Sequence, residues 1–141
     1  MRYLPWALVA LGAYSFVAPL MSVATTGEVR IPSTVAAMIA NTILVVGTVA
    51  VVAYTGGAVG PYLSHPKTPY VLAGGAFLTV GILAYYRALS LGPVSVVVPV
   101  FGLFLVVSSV IGVVFLDEAM TARKGAGIVL ALVAVYLVSV E

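Results

Sequence analysis

The chain has 141 residues, 63% of them hydrophobic and 7% charged, with six basic and four acidic side chains. A soluble domain carries about 25% charged residues, so a water-soluble enzyme and a disordered tail are excluded, and the absence of cysteine excludes a disulfide scaffold or a thiolate site. A mean hydropathy of +1.26 places the chain in lipid, and its net charge of +2 is not gathered into any basic run that would offer a nucleic acid a footprint.

A helical span needs about 20 apolar residues, and apolar runs divided by Gly, Pro and charge predict five of them, making the chain an all-α integral membrane protein. Residues 4–24 form the first predicted span. A start at Met1-Arg2 and a Ser22-Val23-Ala24 end loosely resemble a signal peptide. The apolar stretch, however, exceeds the usual h-region of about 7–15 residues, and further spans follow, so it is read as a retained helix. The second predicted span covers 31–53, the third 70–86, the fourth 93–116 and the fifth 125–140. The fifth is short, and Arg123 and Lys124 lengthen it by snorkelling. Membrane strands alternate with period 2. The run from Ile128 to Val135 does not, which leaves helices as the way to satisfy the backbone in hydrocarbon.

The predicted connections at 25–30, 55–69, 87–92 and 117–124 leave no room for a soluble domain, so residues 1–141 read as one transmembrane domain. Lys and Arg set orientation. Arg2, Lys67, Arg123 and Lys124 fall on one side, Arg30 and Arg87 on the other. Four against two favours a cytoplasmic N-terminus and an external Glu141. So small a bias also suits a chain that inserts both ways.

Catalysis needs a nucleophile, base or metal within mutual reach. His65 is the single histidine, has no Cys or carboxylate at ligand spacing, and reads as a solvated loop residue. No enzyme, cofactor or metal site is expected. None of Glu28, Asp117, Glu118 or Glu141 falls inside a predicted span, so the membrane carboxylate or histidine that proton-coupled carriers usually keep is missing. Facilitated diffusion, or coupling through the solute's own charge, fits better. Asp117 and Glu118 with Arg123 and Lys124 read as an interfacial charge cluster.

The polar groups within the spans are therefore the candidates for recognition. Tyr14 and Ser15 lie in the first, Asn41 and Thr42 in the second, Tyr85 and Tyr86 at the end of the third, and Ser95, Ser108 and Ser109 in the fourth. Asn41 is the one carboxamide in the chain, and an amide in hydrocarbon must find a partner on another helix or in a wet cavity. Ser and Thr can bond back to their own helix and are weaker pointers. Tyr85 and Tyr86 suit either a site or an aromatic belt with Tyr3, Trp6 and Tyr70. Pro19 and Pro99 free the carbonyls of Ser15 and Ser95, and such broken helices often line carrier cavities. Glycines at 74, 75, 81, 102, 112, 125 and 127 supply small faces for close helix packing.

The segment Tyr85-Tyr86-Arg87-Ala88-Leu89-Ser90-Leu91-Gly92-Pro93-Val94-Ser95 resembles the junction of helices three and four in the EamA repeat of the drug/metabolite transporter superfamily. The helix holding Pro99, its end at Phe115-Leu116-Asp117-Glu118, the basic pair Arg123-Lys124 and Gly125 opening a last apolar helix follow in the family's order. Over about residues 70–140 the ordered set matches. The first two spans resemble the family in number and length. The resemblance implies a short, five-helix, single-repeat member, where typical members carry two repeats in opposite orientations. Four-helix relatives pair head-to-tail and carry a functional glutamate in their first helix. Here Tyr14 occupies the comparable region, which argues against drug/proton exchange of that kind.

Five helices enclose only a thin cavity, and alternating access usually needs two units about a midplane site, so a homodimer, most simply antiparallel, is expected. The combined expectation is a transporter of a small polar or amphipathic metabolite, for example an amino acid, in the cytoplasmic membrane. Its binding residues would be Tyr14, Asn41, Tyr85, Tyr86, Ser95 and Pro99, with Arg87 snorkelling or attracting anions at the external mouth. The alternatives are a non-transporting subunit of a larger membrane complex and half of a lipid-linked sugar flippase.

Overall fold

The structure is a computed structural model and describes residues 3–139. Arg2 and Glu141, which entered the orientation argument, and Val140, the last residue of the fifth predicted span, lie outside the described residues. The described residues form seven helices in order: α1 (Leu4–Thr25), α2 (Ser33–Tyr54), α3 (Gly60–Leu63), α4 (Thr68–Leu89), α5 (Val94–Gly102), α6 (Phe104–Phe115) and α7 (Ala122–Ser139). Among the described residues there is no strand. Among the described residues five spans are long and apolar enough to cross a membrane, α5 and α6 together making the fourth.

Prolines start several of these helices, as their fixed φ and missing N–H allow. Pro5, Pro61 and Pro69 stand in the first two positions of α1, α3 and α4. The end of α2 is set by Gly56 at φ 70°, where a residue without Cβ is at ease. The Gly57 N–H reaches back to the Val52 carbonyl at 3.0 Å and the Gly56 N–H to Ala53 at 3.3 Å, which satisfies two carbonyls that the helix end leaves open. The connection expected to be loop through 55–69 contains one helical turn, α3.

The fourth span departs from a single rod. Pro99 lies inside α5, yet the break falls at Leu103, after Gly102. There the Leu103 N–H turns to the Val100 carbonyl at 3.2 Å, and the Val106 and Val107 N–H groups both converge on the Leu103 carbonyl. A proline and a glycine three residues apart, both poor in a helix interior, place a tight turn where a regular ladder was expected. α1 remains helical through Pro19.

The chain forms two compact units, one up to Leu91 and one from Gly92 on. In the first, α1, α2 and α4 pack on one another. Its buried residues are Ala18 and Thr25 of α1, Ser33, Ala36 and Ala37 of α2, and Tyr86 and Leu89 of α4. They lie toward the C-terminal ends of α1 and α4 and the N-terminal end of α2, so the seam closes at one end of the helix trio. Four of the seven are alanine or serine, which let backbones approach where lipid supplies no hydrophobic drive. In the second unit, α5, α6 and α7 contact one another, and Gly112 is the buried residue of α6.

None of the glycines expected to serve close helix approach meets a neighbouring helix within this chain. A methyl added at Gly74, Gly75, Gly81, Gly102, Gly125 or Gly127 meets nothing within 4 Å, whereas at Gly112 it meets the Glu118 carboxylate at 3.3 Å. Alanines make the close approaches in the first unit instead.

Candidate functional site

In the first unit a groove of ≈ 410 Å³ runs between α2 and α4. Thr34, Ala37, Met38 and Asn41 line one wall and Leu78, Thr79 and Ile82 the other. Asn41 lies two turns into α2, at the depth where an uncharged polar group most needs a partner. Its amide donates to the Ala37 carbonyl of its own helix at 2.7 Å. That bond uses one N–H; the second N–H and the carbonyl oxygen remain to face the groove. Thr79 across the groove donates to Gly75 at 2.8 Å and keeps its acceptor lone pairs. The groove is thus apolar with a few polar atoms at mid-depth, the usual pattern of a small-molecule pocket.

The tyrosines form a second group in the same unit. Tyr85 and Tyr86 hold their rings 6.1 Å apart, tilted by 42°. Tyr86 is 4% exposed, which sets it in the α1–α2–α4 seam, unlike the exposed Tyr3, Trp6 and Tyr70 that suit a belt. The phenol of Tyr14 on α1 lies in the neighbourhood of that of Tyr86, while most of its own ring is exposed. Ile82 of the Asn41 groove stands one turn before Tyr86 on α4, so the groove and the tyrosines neighbour each other along one helix.

Ser95 and Pro99 belong to the second unit. Ser95 is exposed and Pro99 half-buried, and the missing proline N–H leaves the Ser95 carbonyl without its helical donor. Three of the other in-span hydroxyls bond back to their own helices: Ser15 to Leu11, Thr42 to Met38 and Ser109 to Leu105, each at 2.8 Å. His65 accepts from the Lys67 N–H at 3.2 Å and tilts against Tyr62, a local turn. Among the described residues no group of three or more His, Cys, Asp or Glu is placed to hold a metal.

Two features escaped the sequence reading. Thr34 and Thr79 join Asn41 in one groove, which only the pairing of α2 with α4 reveals. The Glu118 carboxylate, expected in a charge cluster with Lys124 and paired with it at 3.5 Å, also folds back onto Gly112 of α6. An acidic residue just past a span signals an interfacial charge, and nothing in its spacing signals that inward turn.

A family model described as the EamA-like transporter family matches residues 1–140. No curated protein and no solved structure matches the chain.

Proposed function

The chain belongs to the EamA-like transporter family, a group within the drug/metabolite transporter superfamily, and we propose that it carries a small polar or amphipathic metabolite, such as an amino acid, across the cytoplasmic membrane as a homodimer. The observation that supports this most is the groove holding Asn41. It sits between two spanning helices, is apolar over most of its wall, and offers an amide donor and acceptor at mid-depth. Such a wall favours an apolar body, and the amide orients one polar end.

Tyr14 and Tyr85 supply further apolar area with a hydroxyl each, and Tyr86 backs them from within the seam. Ser95 and the carbonyl freed by Pro99 give the second unit its own polar patch for the solute path. The family match spans both units. Helices this few enclose little space, so a second copy completes the path. The small bias of Lys and Arg, four against two, suits an antiparallel arrangement.

Because the chain lacks cysteine, single cysteines at Glu28 and at Lys67, in connections on opposite sides, can be labelled in intact cells by a membrane-impermeant thiol reagent. The antiparallel dimer predicts that each position is labelled in about half of the molecules and that each half cross-links to the other. Labelling of one position alone contradicts it.

A further inference from the structure

The second unit holds a cavity of ≈ 320 Å³ between α6 and α7, separate from the Asn41 groove and from the residues proposed to bind solute. Its charged atoms gather at one end, where Glu118 and Lys124 pair at 3.5 Å with each side chain about half exposed (55% and 50%). The remaining wall is apolar over Leu105 and Val113 of α6 and Ile128 and Ala131 of α7, with Ser109 between them.

The depth profile matches a lipid. Glu118 follows the end of α6 and Lys124 lies in the first turn of α7, so both charges stand at the boundary of water and hydrocarbon. At 1.5 Å per residue, Leu105 and Ala131 lie about 10–15 Å deeper. The cavity therefore passes from a charged mouth at headgroup level to an oily interior at acyl level.

The carboxylate is placed there by the backbone. Asp117 takes φ 53°, a left-handed conformation that costs an L-residue energy and that Asp tolerates better than most. The Glu118 N–H then donates to the Gly112 carbonyl at 3.2 Å, and the carboxylate rests on the bare face of Gly112, where a methyl would stand 3.3 Å from its carbon and 3.4 and 3.5 Å from its oxygens. A half-exposed ion pair adds little stability and does not by itself account for a turn that carries an acid back over a membrane helix.

We propose that this cavity seats a phospholipid with a primary-amine headgroup. Its ammonium donates to Glu118, its phosphate accepts from Lys124, and the upper part of an acyl chain lies along the apolar wall. Basic pockets between spanning helices select anionic headgroups. A carboxylate beside the lysine selects instead a headgroup bearing both charges, and a primary amine over choline, because only the amine has N–H groups to give.

The test uses the whole chain, stripped of lipid in detergent and mixed with equal amounts of phosphatidylethanolamine and phosphatidylcholine, with bound lipid counted by mass spectrometry of the intact complex. The wild-type chain is expected to retain the ethanolamine lipid about tenfold over the choline lipid. Glu118→Gln removes that preference. Lys124→Gln, an exposed change that the fold tolerates, weakens both lipids. Gly112→Ala weakens the preference with both charges kept, by shifting the carboxylate a few tenths of an ångström. Equal retention of the two lipids by the wild-type chain, or a preference that survives Glu118→Gln, overturns the proposal. So does free phosphoethanolamine displacing the lipid at equal concentration, which assigns the cavity to a soluble zwitterion. None of these readouts depends on solute flux, so the transport reading stands or falls separately.

Discussion

Replacing Asn41 with alanine lowers solute flux about tenfold or more at equal abundance in the membrane. The side chain is the one carboxamide in the chain, and it keeps a free N–H and its carbonyl oxygen toward the groove after its bond to Ala37. A solute that desolvates its polar end in an apolar groove needs that partner. Without it the group enters hydrocarbon unpaired, a loss of about 1–3 kcal/mol. Tyr14→Phe removes one hydroxyl while keeping the ring, and is expected to cost less. Thr42→Ala, next along α2, is the control: Thr42 is exposed and spends its hydroxyl on Met38 of its own helix, so flux stays at the wild-type level. Vesicle uptake normalised to protein checks all three. Wild-type flux in both Asn41→Ala and Tyr14→Phe removes the proposed lining.

Leu89→Ala has the largest expected effect on stability. Leu89 is fully buried, at 0% exposure, where α4 closes the seam with α1 and α2. Truncating a buried leucine in a soluble core costs about 2–5 kcal/mol through lost transfer energy and a residual cavity. In a bilayer the transfer part shrinks, because lipid tails are as apolar as leucine. What is lost is contact between close-packed atoms, so a cost of about 2 kcal/mol, at the low end of that range, is expected. Leu91→Ala, at 71% exposure just past the helix, stays within about 0.5 kcal/mol of the parent. Thermal or denaturant unfolding in detergent measures the pair. Equal behaviour of the two variants shows that the seam is not where the first unit is held.

The spans were legible because hydropathy in lipid is a one-dimensional signal. A run such as Ile128 to Val135 has no structure open to it but a helix. The site was legible only by residue type. Asn41 stands out as a lone amide, but Thr34 and Thr79 become its neighbours through the pairing of α2 with α4, and pairing depends on which faces meet. The packing residues were misassigned for the same reason. Glycine looks like the natural contact residue, yet Ala36 and Ala37 face the seam while Gly74 and Gly75 face open space. The break at Leu103 and the inward turn of Glu118 each rest on one backbone conformation at one residue, which periodicity does not encode.

The central claim is that this chain alone carries solute across a bilayer. The purified protein, reconstituted into liposomes of defined lipid with no other polypeptide, measures it by exchange of a labelled amino-acid mixture against unlabelled solute held inside. Saturable exchange, lost when Asn41 is replaced by alanine and present in vesicles that hold at least two copies, is the predicted result. Exchange no faster than in protein-free liposomes, with the protein inserted and folded, contradicts it and leaves the chain as a subunit of some larger membrane assembly.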